Sequence, residues 1–351
     1  MNIDRWLQVG IAAAFMLVAQ GCAAPQPVAP ATAGSGEPMV WPLPPAAPRI
    51  RFLRSVTGPE DLGIAKPFLQ RMLDALGGAG AERFVRPTGV AARAAALYVA
   101  DAGAQALWIL DAARGRYLKV TAVGEEPLLA PVAVALGPDE TIFLADTGLR
   151  KVFLLDRDGR LLRTAAQEGL ERPAGLAYDT ASQSLYVADS ATHRISVFDA
   201  QGKPLRSWGG GGNRSGEFNH PTYLALDAAG TLRVTDALGF RIQSFDRNGQ
   251  FLGSFGRPGD GSGDFASPKG VATDSEGHVY VVDALFDAVQ VFEPDGTFLL
   301  GFGRRGTQAG EFWLPGGIFI DPQDRMYVAD SYNGRIQLFL AAPAAARGPK
   351  P

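Results

Sequence analysis

Asp189, His193 and Arg194 stand within six residues of one another. A carboxylate beside an imidazole and a guanidinium is the raw material of general acid–base catalysis. The surrounding run, 185–199, reads as two short apolar strands joined by a polar turn, with Asp189 ending the first strand. The same cassette returns at 97–111, 142–156, 232–246, 279–293 and 326–340. Its anchoring acids are Asp101, Asp146, Asp189, Asp236, Asp283 and Asp330. An acid present six times serves the repeat rather than one active site. These carboxylates are therefore expected to bind backbone N–H groups at the turn, or the basic residue five positions on. That residue is Arg194, Arg241 or Arg335 in three copies and Lys151 in a fourth, but Ala106 and Ala288 in the others. The gaps argue for ties between neighbouring repeats rather than a charged ring.

The separations between the acids are 45, 43, 47, 47 and 47 residues. A period in the forties made of strands is the mark of a β-propeller. Each repeat opens with a proline, Pro87, Pro131, Pro173, Pro221, Pro268 or Pro315, leading an inner strand. Second turns such as Asp158-Gly159, Asn248-Gly249 and Asp295-Gly296 reach positive φ cheaply and suit hairpins. A fourth strand follows in every repeat but the last. Residues 49–56 alternate charge and apolar side chain with period two, so they are expected to supply it and close the ring. The reading is an all-β, six-bladed propeller of four-stranded blades. One short helix over 67–76 is inserted before the first full repeat, with its apolar stripe at 68, 69, 72, 73 and 76.

Tyr-Val-Ala-Asp with an Arg five residues on, and the Gly-rich links 209–218, 256–265 and 303–312, resemble the NHL repeat. The resemblance spans residues 49 to 340. It implies the six-bladed fold. It does not choose a function, because NHL propellers serve as protein-binding, RNA-binding, sensor and occasionally catalytic domains.

Inner strands converge on the axis, where small residues are expected. Two positions after each opening proline stand Gly89, Ala133, Gly175, Tyr223, Gly270 and Gly317; four positions after stand Ala91, Ala135, Ala177, Ala225, Ala272 and Phe319. The bulk of Tyr223 and Phe319 is expected to plug the channel and leave one end a shallow dish. His193 and His220 fall at one end of the propeller and His278 at the other, so the three histidines do not form one site. No Gly-x-Ser-x-Gly elbow, P-loop or dinucleotide fingerprint is present. No catalytic residue, cofactor or metal site is assigned, although an axial calcium or zinc would leave little trace in sequence. The candidate binding face gathers Arg86, Arg172, His193, His220, Phe240, Lys269, Phe286, Trp313 and Tyr332 at the end carrying the opening prolines. Aromatics beside arginine are typical interface anchors.

The chain has 351 residues, 46% apolar and 20% charged, with a formal charge of -3 and no basic run, which argues against nucleic-acid binding. Its single cysteine, Cys22, excludes a disulfide within the chain. Arg5, an apolar run to Ala19 and Gly21-Cys22 form a secretory leader over residues 1–21. Its exit resembles the lipobox of bacterial lipoproteins, which implies cleavage before Cys22 and lipidation of its sulfur. Residues 22–48 are rich in Pro and Ala and read as a tether, 49–341 as the propeller and 342–351 as a flexible tail. The expectation is an envelope lipoprotein, in the outer membrane if the cell is Gram-negative. Its propeller would dock a protein, peptide or glycan on one face without catalysis. The alternative is a metal-dependent propeller enzyme resembling the peptidyl-hydroxyglycine lyase or the lactonases.

Overall fold

The computed structural model describes residues 39–65 and 81–341. The leader, Cys22, the expected helix over 67–76 and the tail after 341 lie outside the described residues. Contacts divide the chain at Glu37/Pro38, and all described residues belong to the second unit, Pro38–Pro351.

Six antiparallel sheets follow one another in chain order. The first blade is Pro87–Arg93, Ala96–Asp101, Ala106–Asp111 and Arg116–Val120. The next four blades begin at Pro131–Leu136, Pro173–Asp179, Pro221–Leu226 and Pro268–Thr273. The sixth has Ile318–Ile320 innermost, then Arg325–Asp330 and Arg335–Ala341. Ile50–Val56 pairs with Arg335–Ala341, so the ring closes with an N-terminal strand beside the C-terminal one. A further strand, Val40–Trp41, pairs with Ile50–Val56 inside the stretch expected as tether. Trp41 lies 5.4 Å from Phe302 and 5.9 Å from Phe339, ring centre to ring centre. Ordered structure therefore begins before residue 49, because an apolar anchor outweighs the surrounding prolines.

Side chains of each blade interdigitate with those of the next, so the core is a chain of inter-blade clusters. The Gly-rich links are built into it. Phe218, Phe265 and Phe312 are fully buried and lie 5.6, 5.7 and 5.9 Å from Phe245, Phe292 and Phe339. Gly209 and Gly303 adopt φ of 99° and 94°, and a Cβ there would meet the Phe218 and Phe312 rings at 2.6 and 2.5 Å. Only glycine fits both requirements. Buried Gln243, Gln290 and Gln337 clamp the links by accepting from Gly216, Gly263 and Gly310 N–H and donating to Glu217, Asp264 and Glu311 carbonyls.

Candidate functional site at the blade-opening end

The repeated aspartates fix this end. Asp101 accepts from the N–H groups of Val85, Arg86 and Ala104. Asp146, Asp189 and Asp283 likewise hold the residues just before their blade-opening prolines. Asp236 and Asp330 each take one such N–H, from Asn219 and Trp313, and spend the other oxygen on Arg241 and Arg335. All six carboxylates are fully buried and occupied. They tie each turn between strands two and three to the opening of its own blade, and so gather both sets of loops on one rim.

Arg241 and Arg335 also donate to carbonyls of the Gly-rich links, Glu217 and Glu311 among them. Arg194 holds the same place in the repeat but is exposed and, among the described residues, its guanidinium reaches only Ser207 Oγ, at 3.4 Å. The link before blade three, which Arg194 would hold by analogy, receives no such clamp from it among the described residues. The expectation that every Arg ties its neighbourhood together thus fails at Arg194.

Next to it lies a basic sector. His193 Nδ1 accepts from the His220 backbone N–H at 3.1 Å, and the two rings are 6.5 Å apart. Burial pushes the His220 pKa down; Arg172, His193 and Lys269 push it further, against a smaller pull from Asp236. Burial also lowers Lys269. His220 is therefore neutral at pH 7, and the positive charge belongs to Arg172 and Lys269, neither of which pairs with a carboxylate among the described residues.

Around the rest of the rim runs an apolar arc. Leu238 and Leu285, two positions after their blade aspartates, are exposed, as is Tyr332 in the same position of blade six. Val85 and Leu129, two positions before their opening prolines, are exposed as well. Trp313 lies 5.7 Å from Tyr332, with the Arg305 guanidinium 5.9 Å from its ring centre. Of the residues expected here, Arg86, Trp313 and Tyr332 are exposed, while Phe286 is half-buried. Phe240 instead packs against the cluster of Phe265 and Val271 and belongs to the blade wall. Val85, Leu129, Leu238 and Leu285 escaped sequence reasoning; the signal was an apolar residue inside an otherwise polar turn.

The axis differs from expectation. At the glycine level, a Cβ on Gly89 would meet the Val132 carbonyl oxygen at 2.6 Å and one on Gly317 the Thr88 oxygen at 2.5 Å, so adjacent inner strands touch. Tyr223 crosses this narrow ring. Phe319 does not: it lies 6.2 Å, ring centre to ring centre, from its cross-strand neighbour Tyr327 and packs against the cluster that joins blade six to blade one. Below Tyr223 the channel is a cavity of about 550 Å³ rather than a filled core, lined by Ala91, Ala135, Ala177, Ala225, Ala272 and Phe319 among others. It ends at the turns between first and second strands, opposite the rim.

Among the described residues no three His, Cys, Asp or Glu side chains gather as a metal site requires. His278 lies at the cavity end, where its Nδ1 is 2.8 Å from Asp274 Oδ2. Also among the described residues, no helix is long and apolar enough to cross a membrane.

Residues 119–298 match the family model described as the teneurin NHL domain. The chain belongs to the teneurin NHL family. No curated protein matches it. Solved structures similar to this NHL propeller include a protein of unknown function from Bacteroides thetaiotaomicron, at 16% identity and TM-score 0.59, covering 74% of this chain and 70% of the other. A virginiamycin B lyase from Staphylococcus aureus is 12% identical with TM-score 0.55, over 74% and 96% of the two chains. A gluconolactonase from Xanthomonas campestris is 19% identical with TM-score 0.56, over 74% and 87%. At these identities the likeness is one of fold alone.

Proposed function

We propose that this NHL propeller is a non-catalytic docking module, and that it takes a protein or peptide on the rim carrying the blade-opening prolines. The observation that carries the reading is the arc of Leu238, Leu285, Trp313, Tyr332, Val85 and Leu129, 38–63% exposed, on the same rim as Arg172 and Lys269, which pair with no carboxylate among the described residues. Exposed apolar side chains gathered on one rim with arginine favour a partner with an apolar ridge and acidic flanks. The leader and Cys22 support delivery to the cell envelope as a lipid-anchored protein, with the Pro-rich stretch lifting the propeller from the membrane.

Site-specific photo-crosslinking in native envelopes tests the docking surface. A crosslinker at Leu285 or Tyr332 is expected to capture one discrete partner, and the pair of changes Trp313→Ser and Leu238→Ser to abolish capture. A crosslinker at Leu252, exposed on an outer strand, is the control. Equal capture from Leu252, or none from the rim, overturns the reading. Labelled palmitate incorporation that survives Cys22→Ala overturns the anchor.

A further inference from the structure

The cavity at the opposite end is a blind chamber. Tyr223, from blade four, stops it at the glycine level, and its mouth is framed by exposed Ala94, Pro322 and Gln323. Gly89 and Arg93 line it at its two ends on one regular strand, four residues apart, which makes it about 13 Å deep. Its 550 Å³ falls within the range of about 300–1,000 Å³ typical of small-molecule sites.

Its walls set the chemistry. Five of the six blades place alanine at the widest level and the sixth places Phe319, so the chamber is broad and largely apolar. The hydroxyl of Tyr223 is held by the Thr88 carbonyl and supplies no charge. Two charged residues line the mouth, Arg93 and Asp321. Arg325 and Asp321 pair at 2.6 Å, and Asp321 also accepts from the backbone N–H groups of Gln323 and Arg325. Arg93, which lines the cavity, donates to the Gly137 carbonyl at 2.7 Å and meets no carboxylate among the described residues. Arg93 is thus the lining cation without an ion pair among the described residues, at the mouth of an apolar chamber.

We infer that this chamber binds an amphiphilic monocarboxylate, with its carboxylate on Arg93 at the mouth and its apolar body against the alanine walls. A guanidinium has donors to spare for a carboxylate fork. A single cation suits a monoanion, since a doubly charged head group would be left half unpaired next to apolar walls. The site is at the opposite end from the docking rim and stands independently of it.

A diazirine-bearing decanoate, applied to the full chain in native membranes and followed by peptide mapping, tests this. Labelling is expected on the inner strands holding Ala91, Ala177 and Ala225, with competition by decanoate but not by decanol or maltose. Arg93→Gln should raise the half-competing decanoate concentration about tenfold or more. Ala225→Phe should abolish labelling by filling the chamber, with Ala177→Val as a milder filler should the first variant fail to fold. Tyr332→Ser, on the far rim, should leave labelling unchanged. Labelling scattered over the surface, competition by decanol or maltose as effective as by decanoate, or indifference to Arg93→Gln overturns the inference.

Discussion

The Tyr223 hydroxyl lies 3.4 Å from the Thr88 carbonyl oxygen, joining blade four to blade one straight across the propeller axis. One side chain thereby separates the rim from the axial cavity. Burial pushes the Tyr223 pKa up to about 12. The folded value is above the unfolded one, so the stability tied to this proton is complete below about pH 10 and is lost as pH rises towards 12. The difference between wild type and Tyr223→Phe should grow over that window to at most about 2–3 kcal/mol, because the ring also borders a cavity that water reaches. Urea unfolding at pH 8 and at pH 11 measures it. At pH 8 Tyr223→Phe should cost no more than about 1 kcal/mol, whereas Tyr223→Ala, which opens the axis, should cost about 3 kcal/mol.

The glycine ring invites a second test. A Cβ on Gly175 would sit on the Thr222 carbonyl oxygen, 3.0 Å from Tyr223 Cα. Backbone cannot move aside as a side chain can, so Gly175→Ala should cost about 1–3 kcal/mol by overpacking, even though its φ is ordinary. The same exchange at Gly253, where a Cβ would meet nothing within 4 Å, should be near neutral or slightly favourable. Equal thermal midpoints for the two variants would remove the argument.

What was legible in the sequence follows from how local the causes are. The blade aspartates and opening prolines recur six times and the second-turn glycines five, all acting within one repeat, so blade number and the closing strand at 50–56 could be read directly. Val40–Trp41 could not, because two residues among prolines carry no period; the strand exists through Trp41's long-range contact with Phe302 and Phe339. The cavity was hidden for a similar reason. Bulk at Tyr223 and at Phe319 looks alike in sequence, yet one side chain enters the axis and the other packs against the cluster that joins blade six to blade one. That direction depends on a neighbour, Tyr327, and on the short inner strand Ile318–Ile320.

At the cavity end, Asp111 and Arg114 pair at 2.6 Å, and Arg114 also reaches Glu140. Burial raises the Asp111 pKa, but the side-chain and backbone hydrogen bonds from Arg114 outweigh it and hold the carboxyl below its usual range. With the folded value depressed, this stability is present above about pH 4 and is lost as pH falls below it. Arg114→Gln should flatten the acid limb of stability between pH 4 and 2, a modest effect because Arg114 is partly exposed. Chemical denaturation across that range reads it. An unchanged acid limb would mean that the pair contributes nothing.

Arg335 and Arg194 occupy one position of the repeat and should behave as opposites. Arg335 Nε donates to the fully buried Asp330 at 2.7 Å, and its other nitrogens reach the Thr307, Gln308 and Glu311 carbonyls. Removing it takes the charged partner from a buried carboxylate, which keeps only Trp313, Asn333 and Gln337 as donors among the described residues, and takes a guanidinium donor from the Thr307 and Gln308 carbonyls. Arg335→Ala should cost about 3–5 kcal/mol, the range for breaking a buried pair by deleting one partner. Asp189, by contrast, is satisfied by four backbone N–H groups and does not need Arg194. Arg194→Ala should stay within about 0.5 kcal/mol of wild type. Because Asp330 also receives the Trp313 N–H, the loss of Arg335 should loosen the rim itself. Hydrogen exchange at the Trp313 amide should therefore accelerate in Arg335→Ala beyond what the fall in global stability accounts for. Exchange in step with global unfolding would confine the role of Arg335 to stability and leave the rim independent of it.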